Sequence, residues 1–409
     1  MIKERARLVF SDLGKHSYKY YDIELHEDGN VKCAYGVVGA SNPQQKDFGC
    51  VGKSFYDKKI AEKERKGYTH AKVLVEGTSN IVVNKSSLAD IALSQIKFNN
   101  DSLKPLIKRL ADSNVHKITN STSISFDNGV FQTPLGIVTK EGIDEARILL
   151  DFFHKNIKKN GKDEFNKKID EYLRIIPRPK GNGLQYERIF PTLDAIRKES
   201  DVLDALSNSV DMALNTSSPN TPISEKVFNL NMEILEDLKE IKKIKDWYER
   251  TNKAMHHYQD VKIRNIYAVD IVDYNSRFLK DSPNIKEVWH GSGQSNILSI
   301  LKSGLFCSPP STAAIAGKMF GNGIYGSETA SKSLGYTMGR WGQGKGDSGW
   351  LFICDFAMGN PHYPRHSLSN IPAGYDSCWA LPKNTSLLND ELIVYDEKRV
   401  KIKYLLEVN

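Results

Sequence analysis

The sequence predicts a multidomain α+β protein. A small antiparallel sheet with one helix is expected over 1–80, a mostly helical segment over 85–215, and a mostly β domain over 225–409. Three observations predict this. The 409 residues, at roughly 100 to 200 per domain, allow two to four cores that need no disulfide or metal. Apolar residues alternate near the start, recur at three- and four-residue spacing in the middle, and fall in short extended runs at the end. The run TSSPNTP at 216–222, made of polar turn formers, is the expected linker before the last part.

The first part begins with alternation over Tyr20 to Leu25, followed by Glu27-Asp28-Gly29-Asn30, a hairpin signal, and then by the extended run VKCAYGVVG. From Val51 to Lys66 the apolar residues Phe55, Ile60 and Ala61 sit among charges, as on a helix that stops before Gly67. Its Lys53, Lys58, Lys59, Lys63, Arg65 and Lys66 could face a phosphate backbone, and a solvated helix face explains them as well. In the middle part, Thr139 is a cap for KEGIDEARILLDFFHKNI, whose stripe is Ile143, Ala146, Leu149 or Leu150, Phe153 and Ile157. Thr192 is a cap for a second stripe of Leu193, Ile196, Leu203, Leu206 and Val210, and the loop signal IIPRPKGNG divides the two. Each stripe needs another to bury it, so a helical bundle is expected. After the linker come a helix rich in Leu, Ile and Trp, the extended runs IRNIYAVDIV, EVWHG, GWLFICDFAMG, ELIVYD and KIKYLLEV, and one helix near 295–303.

Composition narrows the function. No uncharged apolar stretch of 18 residues could span a bilayer, and MIKERARLVF has no targeting segment with a cleavage site, so neither a membrane protein nor a classically secreted one is expected. The five cysteines are scattered, with no CxxC and no close Cys/His cluster; no zinc site or disulfide framework is expected, and a reducing compartment is the simpler reading. A net charge of +7 permits a polyanion without requiring one.

The candidate chemistry lies in the last third. VWHGSG puts His290 behind an apolar strand, with glycines that let a ligand approach the backbone and be gripped through its amides. MFGNGIYGSETASKS places Gly321 and Gly323 before Tyr325, with Tyr336 beyond, and NDELIVYD starts a strand at Glu391. Taken singly, each has a plain alternative: a packed histidine, core tyrosines, a polar strand flank.

Together, WHGS, MFGxGIYxxxxxSKSxxY and NDExIVYD, with 34 residues between His290 and Tyr325, resemble the catalytic frame of the poly(ADP-ribose) polymerases. TNKAMHHYQDVKIRNIYAVDI is similar to the entry into the transferase sheet of that family. Upstream, YYDIELHEDGNVKCAYGVVG and FGCVGKSFYDKKIAEKERKGY resemble a WGR domain, and TPLGIVTKEGIDEARILL with YLRIIPRPKG resembles the family's helical regulatory domain.

The resemblance implies an NAD+-dependent protein ADP-ribosyltransferase, with NAD+ as co-substrate and no metal. NAD+ would be held without a Rossmann turn, since neither the GNG at 181–183 nor GRWGQGKG at 339–346 has that context. His290, Tyr325 and Glu391 are the implied catalytic residues, and His290, Gly291, Ser292, Asn296, Tyr325, Ser333 and Tyr336 the implied NAD+ contacts. Gly291 would grip the nicotinamide carboxamide, with Ser333 adding a hydroxyl, Tyr336 a stacking ring and His290 a bond to the adenosine ribose. The implied partners are protein acceptors, the chain itself included, and broken or phosphorylated DNA. The implied place is the nucleus in a eukaryote, or the cytoplasm for a bacterial or phage-encoded chain.

The rivals are a mono-ADP-ribosyltransferase or NAD glycohydrolase that ignores DNA, and an adaptor with weak catalysis. The departures from the family pattern are specific. The Trp-Gly-Arg tripeptide is Tyr35-Gly36-Val37, which loses a bidentate phosphate donor; Phe306 stands where well-known members have arginine; and Met358 to Leu388 is short. No zinc finger, BRCT module or ankyrin repeat accompanies the core.

Overall fold

Alternation along the first strands decides how the amino-terminal sheet buries its two faces. The structure, a computed structural model, describes residues 1–40, 42–74, 88–121, 125–127, 130–178, 184–193, 195–196, 199–200, 202–203, 206–207, 228–253, 258, 260–307, 319–337 and 348–409. The expected linker at 216–222, the GNG at 181–183, Val210, and the run at 339–346 lie outside them. The fold is α+β with several sheets, in two compact units.

In the first unit, five antiparallel strands lie in the order Gln44–Asp47, Val31–Val37, Ser17–His26, Ile2–Asp12, Thr69–His70. The hairpin at Glu27 to Asn30 closes with Gly29 at φ 81° and His26 N–H donating to the Asn30 carbonyl at 2.8 Å. One face of the sheet, with Ala6, Leu8, Tyr21, Ile23 and Cys33, is buried with Tyr56 of the Gly52–Arg65 helix. That helix stops where expected, before Gly67 at φ 86°.

Much of its charge is used internally. Lys53 pairs with Glu4 and Asp57, Lys59 and Lys66 both pair with Glu62, and Lys63 lies over the rings of Tyr21 and Tyr68.

The alternate residues serve helical elements of the same unit. Thr139 accepts from Gly142 N–H at 3.2 Å and starts the Lys140–Lys155 helix, which buries Ile143, Ala146, Leu149, Leu150 and Phe153; Ile157 falls beyond its end, in a short 3-10 turn. The Asp163–Ile175 helix carries Asp170, whose carboxylate accepts from Ser11 Oγ at 2.6 Å, Leu13 N–H at 3.1 Å and Tyr186 Oη at 2.5 Å. Tyr18 Oη donates to the Leu173 carbonyl at 2.9 Å and so fastens the sheet to the same helix. Thr192 accepts from Ala195 N–H at 3.2 Å, and Ile196, Leu203 and Leu206 are buried. Leu193 is an exception to the expected stripe, being 49% exposed, because at about 100° per residue it falls to one side of the face that Ile196, Leu203 and Leu206 share.

The expected helical span is divided between the units: Leu88–Lys117 clusters with the second. Gln95 accepts from Phe228 N–H at 2.9 Å, and Lys97–Phe98 pairs in parallel with Leu230–Ile234. Arg109, on the Leu103–Ser121 helix, pairs with buried Glu407 at 2.7 Å.

The second unit is built on a six-stranded sheet, ordered Ile285–Gly291, Gly349–Ala357, Val400–Val408, Ile263–Ile271, Leu230–Ile234, Lys97–Phe98. The Leu238–Thr251 helix, capped by Asp237, lies against it: Ile244 and Tyr248 join Leu351, Ile353 and Leu406 in the core, and Trp247 stacks on fully buried Trp289 at 4.1 Å. A second sheet runs Ile324–Gly326, Glu391–Val394, Ser377–Ala380, Pro361–His362. One bridge, Trp289 to Ser327, joins the two sheets. Among the described residues no helix is long and apolar enough to cross a membrane.

Candidate active site

Backbone direction at the junction of the two sheets builds the cleft. Trp289 and Ser327 exchange hydrogen bonds at 2.8 and 3.0 Å, and Ser292 N–H bonds the other way, to the Trp350 carbonyl at 3.4 Å. Alternation then turns the N–H and C=O of Gly291 to the same side as those of Trp289, just past the end of the bridge. There they join His290, Tyr325, Ser327, Lys332, Ser333, Tyr336 and Glu391 around one cavity. Only glycine fits at 291, since a Cβ there would stand 1.9 Å from the Ser333 carbonyl oxygen.

The histidine's tautomer follows from its partner. His290 Nδ1 lies 2.8 Å from the Tyr325 carbonyl, so Nδ1 carries the proton and donates, leaving Nε2 as an acceptor. Burial holds the imidazole below its ordinary pKa and keeps it neutral. Tyr325 is fixed at its far end, its hydroxyl donating to the Gly321 carbonyl at 2.8 Å and accepting from Phe320 N–H at 3.0 Å.

The Ala330–Leu334 helix explains the SKS run, because each of its three residues holds a different element. Ser331 Oγ accepts from Lys253 N–H at 3.0 Å, Lys332 Nζ meets Glu391 Oε1 at 2.7 Å, and Ser333 Oγ donates to the Trp289 carbonyl at 3.0 Å. Tyr336 follows on the next turn, its hydroxyl pushed up to about 12 by burial and the nearby Glu391.

Glu391 opens its strand opposite Ala380 and is only 5% exposed. One carboxylate oxygen is held by Lys332; the other, Oε2, is buried with no hydrogen-bond partner among the described residues. Burial raises its pKa, and the Lys332 cation opposes that rise without cancelling it. An unpaired buried carboxylate oxygen is costly unless something donates to it. The neighbouring Asp390 braces the turn before the helix, accepting from Ser327 Oγ at 3.0 Å and Glu328 N–H at 3.4 Å.

Of the expected residues, His290, Gly291, Tyr325, Ser333, Tyr336 and Glu391 line this cavity. Ser292 and Asn296 are not among its lining residues; they lie just past the end of the Ile285–Gly291 strand and in the first turn of the Gln294–Ser303 helix. Lys332 was not singled out in the sequence, although its place between two serines of SKS is a legible signal. Asp390 gives none, since an acidic residue before an edge strand is ordinary. None of the five cysteines forms a disulfide, and among the described residues no group of three or more His, Cys, Asp or Glu side chains could hold a metal.

Residues 238–386 match the model of the poly(ADP-ribose) polymerase catalytic domain. Poly [ADP-ribose] polymerase 1 of Gallus gallus is 24% identical over 98% of this chain and 45% of its own length. Over nearly its whole length the chain is similar to a poly(ADP-ribose) polymerase, and the match to the family's catalytic domain lies within its last part. Protein mono-ADP-ribosyltransferase PARP4 of Homo sapiens is 27% identical over 67% of this chain and 16% of its own length. Poly [ADP-ribose] polymerase 2 of Arabidopsis thaliana is 22% identical over 67% of this chain and 49% of its own. The chain thus spans less than half the length of these polymerase-family relatives.

Proposed function

We propose that the chain is an NAD+-dependent protein ADP-ribosyltransferase, of the polymer-forming kind, that releases nicotinamide. In this reading 1–80 is a WGR module, 85–215 a regulatory domain and 225–409 the catalytic domain. The observation that carries it is Glu391, one oxygen held by Lys332 and the other buried without a partner, in the same cavity as His290, Gly291 and Tyr336. A ribose hydroxyl is the kind of donor that Oε2 lacks.

The chemistry follows from charge. As the bond from the ribose carbon to the nicotinamide nitrogen breaks, the electron pair leaves with nicotinamide and positive charge moves to the ribose carbon. A carboxylate beside that carbon stabilises the transition state more than the ground state, whose charge sits on the ring nitrogen. An acceptor oxygen then bonds to the ribose carbon and gives up its proton. In this reading Glu391 supplies the charge and aligns the incoming hydroxyl, Gly291 grips the carboxamide through its backbone, and Tyr336 with Tyr325 encloses the ring. His290 Nε2 accepts from a ribose hydroxyl, and Ser333 oxygen, whose hydrogen goes to Trp289, is left to accept. Ser292 and Asn296 would serve the adenosine side.

Glu391→Gln keeps shape and loses charge, so transfer falls sharply and elongation disappears while NAD+ affinity stays near wild type. Calorimetry of binding beside gel analysis of labelled product checks this; wild-type polymer yield from the variant would falsify the assignment. Free labelled ADP-ribose in place of labelled protein identifies a glycohydrolase.

Stimulation by broken or phosphorylated DNA is the second part of the proposal. The family resemblance supports it, and the ion pairs of Lys53, Lys59 and Lys66 together with Val37 make the contact weak and salt-sensitive. Its location is then the nucleus in a eukaryotic cell, or the cytoplasm in a bacterium.

A further inference from the structure

The strand that bears His290 also bears Lys286, four residues earlier and on the same face, about 13 Å away at the usual rise of a strand. Between them Val288 packs so tightly on Gly326 that a Cβ there would lie 2.6 Å from Val288 Cγ2. Lys286 Nζ stands 4.9 Å from the centre of the Trp379 ring. Trp379, with Tyr363, Leu381, Lys383 and Asn384, lines a second cavity of about 350 Å³, larger than the one at Glu391 and sharing none of its lining residues.

Trp379 sits on the Ser377–Ala380 strand between Cys378 and Ala380, which are buried with Ile393. Alternation therefore turns its ring to the opposite face of the sheet from Glu391, whose cross-strand partner is Ala380. The Tyr363 and Trp379 rings lie 6.1 Å apart at 28°, and Tyr363 is 46% exposed, so a flat aromatic surface is open to a ligand. The polar side-chain groups of the lining residues are one cation, one amide, one phenol and one indole N–H, with no carboxylate.

We propose that this groove is a second ligand site, for a nucleotide: a planar base against the Tyr363–Trp379 pair, with its phosphate drawn by Lys383 and Lys286. Base stacking on an aromatic side chain and a cation for the phosphate are the two parts such recognition requires. An acidic or aromatic peptide fits less well, since stacked rings open at one face suit a flat ring better than a chain. Leu381, Lys383 and Asn384 also begin the connection that ends at Asn389 and Asp390, whose carbonyls Lys332 Nζ approaches at 3.4 Å. An occupant would brace that connection.

The test is calorimetric titration of the full chain with AMP, adenosine, inorganic phosphate and ADP-ribose, and it needs no transfer activity. AMP is expected to bind at least tenfold tighter than adenosine or phosphate. Tyr363→Ala and Lys383→Ala, both on exposed side chains, should each weaken AMP at least fivefold, and Tyr336→Ala should leave that binding unchanged. ADP-ribose binding that is tenfold tighter than AMP and that Tyr363→Ala weakens as it weakens AMP identifies the source as an ADP-ribose unit; equal binding with the same dependence on Tyr363 supports a free nucleotide. The proposal is overturned by absence of AMP binding, by AMP binding that Tyr336→Ala abolishes and Tyr363→Ala does not touch, or by an aromatic peptide that binds at Tyr363 where AMP does not.

Discussion

Burial governs the ionisation of Glu391 and Lys332 tempers it, and pH reads that contact out. Burial lifts the Glu391 pKa and the cation restrains the rise. Activity that needs the ionised carboxylate is lost as pH falls through that raised pKa, so the acid limb begins above the ordinary carboxylate range. Lys332→Met removes the restraint and moves the limb to higher pH, which a profile of kcat/KM against pH measures. An unmoved limb would mean that Glu391 is not the titrating group. At Gly291 the constraint is steric: Gly291→Ala sets a methyl against the Ser333 carbonyl, and overpacking of this kind costs about 1–3 kcal/mol. Benzamide, which carries the nicotinamide carboxamide, is expected to bind the variant at least tenfold more weakly by calorimetry. Six of the residues that line the cavity were legible because their motifs are long; the tautomer of His290 and the unpaired Oε2 were not, since the first depends on a carbonyl 35 residues away and the second on what the fold leaves around the carboxylate.

Caps, glycines and alternation carried the local elements: Thr139 starts its helix, Gly67 ends one, and Asp28-Gly29 turns a hairpin. Sequence period shows that a stripe must be buried but not what buries it. Asp170 is the clearest case, a charged residue on a helix whose burial is explained only by Ser11, Leu13 and Tyr186. Asp170→Ala strands three donors at once, at about 1–3 kcal/mol each if none finds water. We expect a loss of at least 3 kcal/mol in urea unfolding, with Ser11→Ala losing much less because its partner keeps two donors.

The division of the 85–215 span between two units could not be read from periodicity, since a repeat shows which face of a helix is apolar and not which neighbour covers it. It also decides which deletion can show whether the helical region restrains catalysis. Deleting 85–215 would strip Lys97–Phe98 and Arg109 from the sheet they complete, whereas deleting 118–216 leaves both in place. Basal NAD+ consumption by the shorter deletion is expected to exceed that of the full chain, and an unchanged rate in a soluble variant rejects a restraining role. For DNA, nicked and 5′-phosphorylated duplexes are expected to raise NAD+ consumption at low salt and to lose most of that effect at high salt.

The bond between Gln95 and Phe228 spans 133 residues. A ribosome adding roughly 5–20 residues per second delivers the second partner about 7–27 s after the first. For that interval Ile91, Ala92 and Ile96, all buried in the finished protein, have nothing from the last part of the chain to pack against. Synthesis of this protein therefore includes an interval in which Gln95 has been made and the backbone amide it holds has not, while the strands of the amino-terminal sheet are already complete.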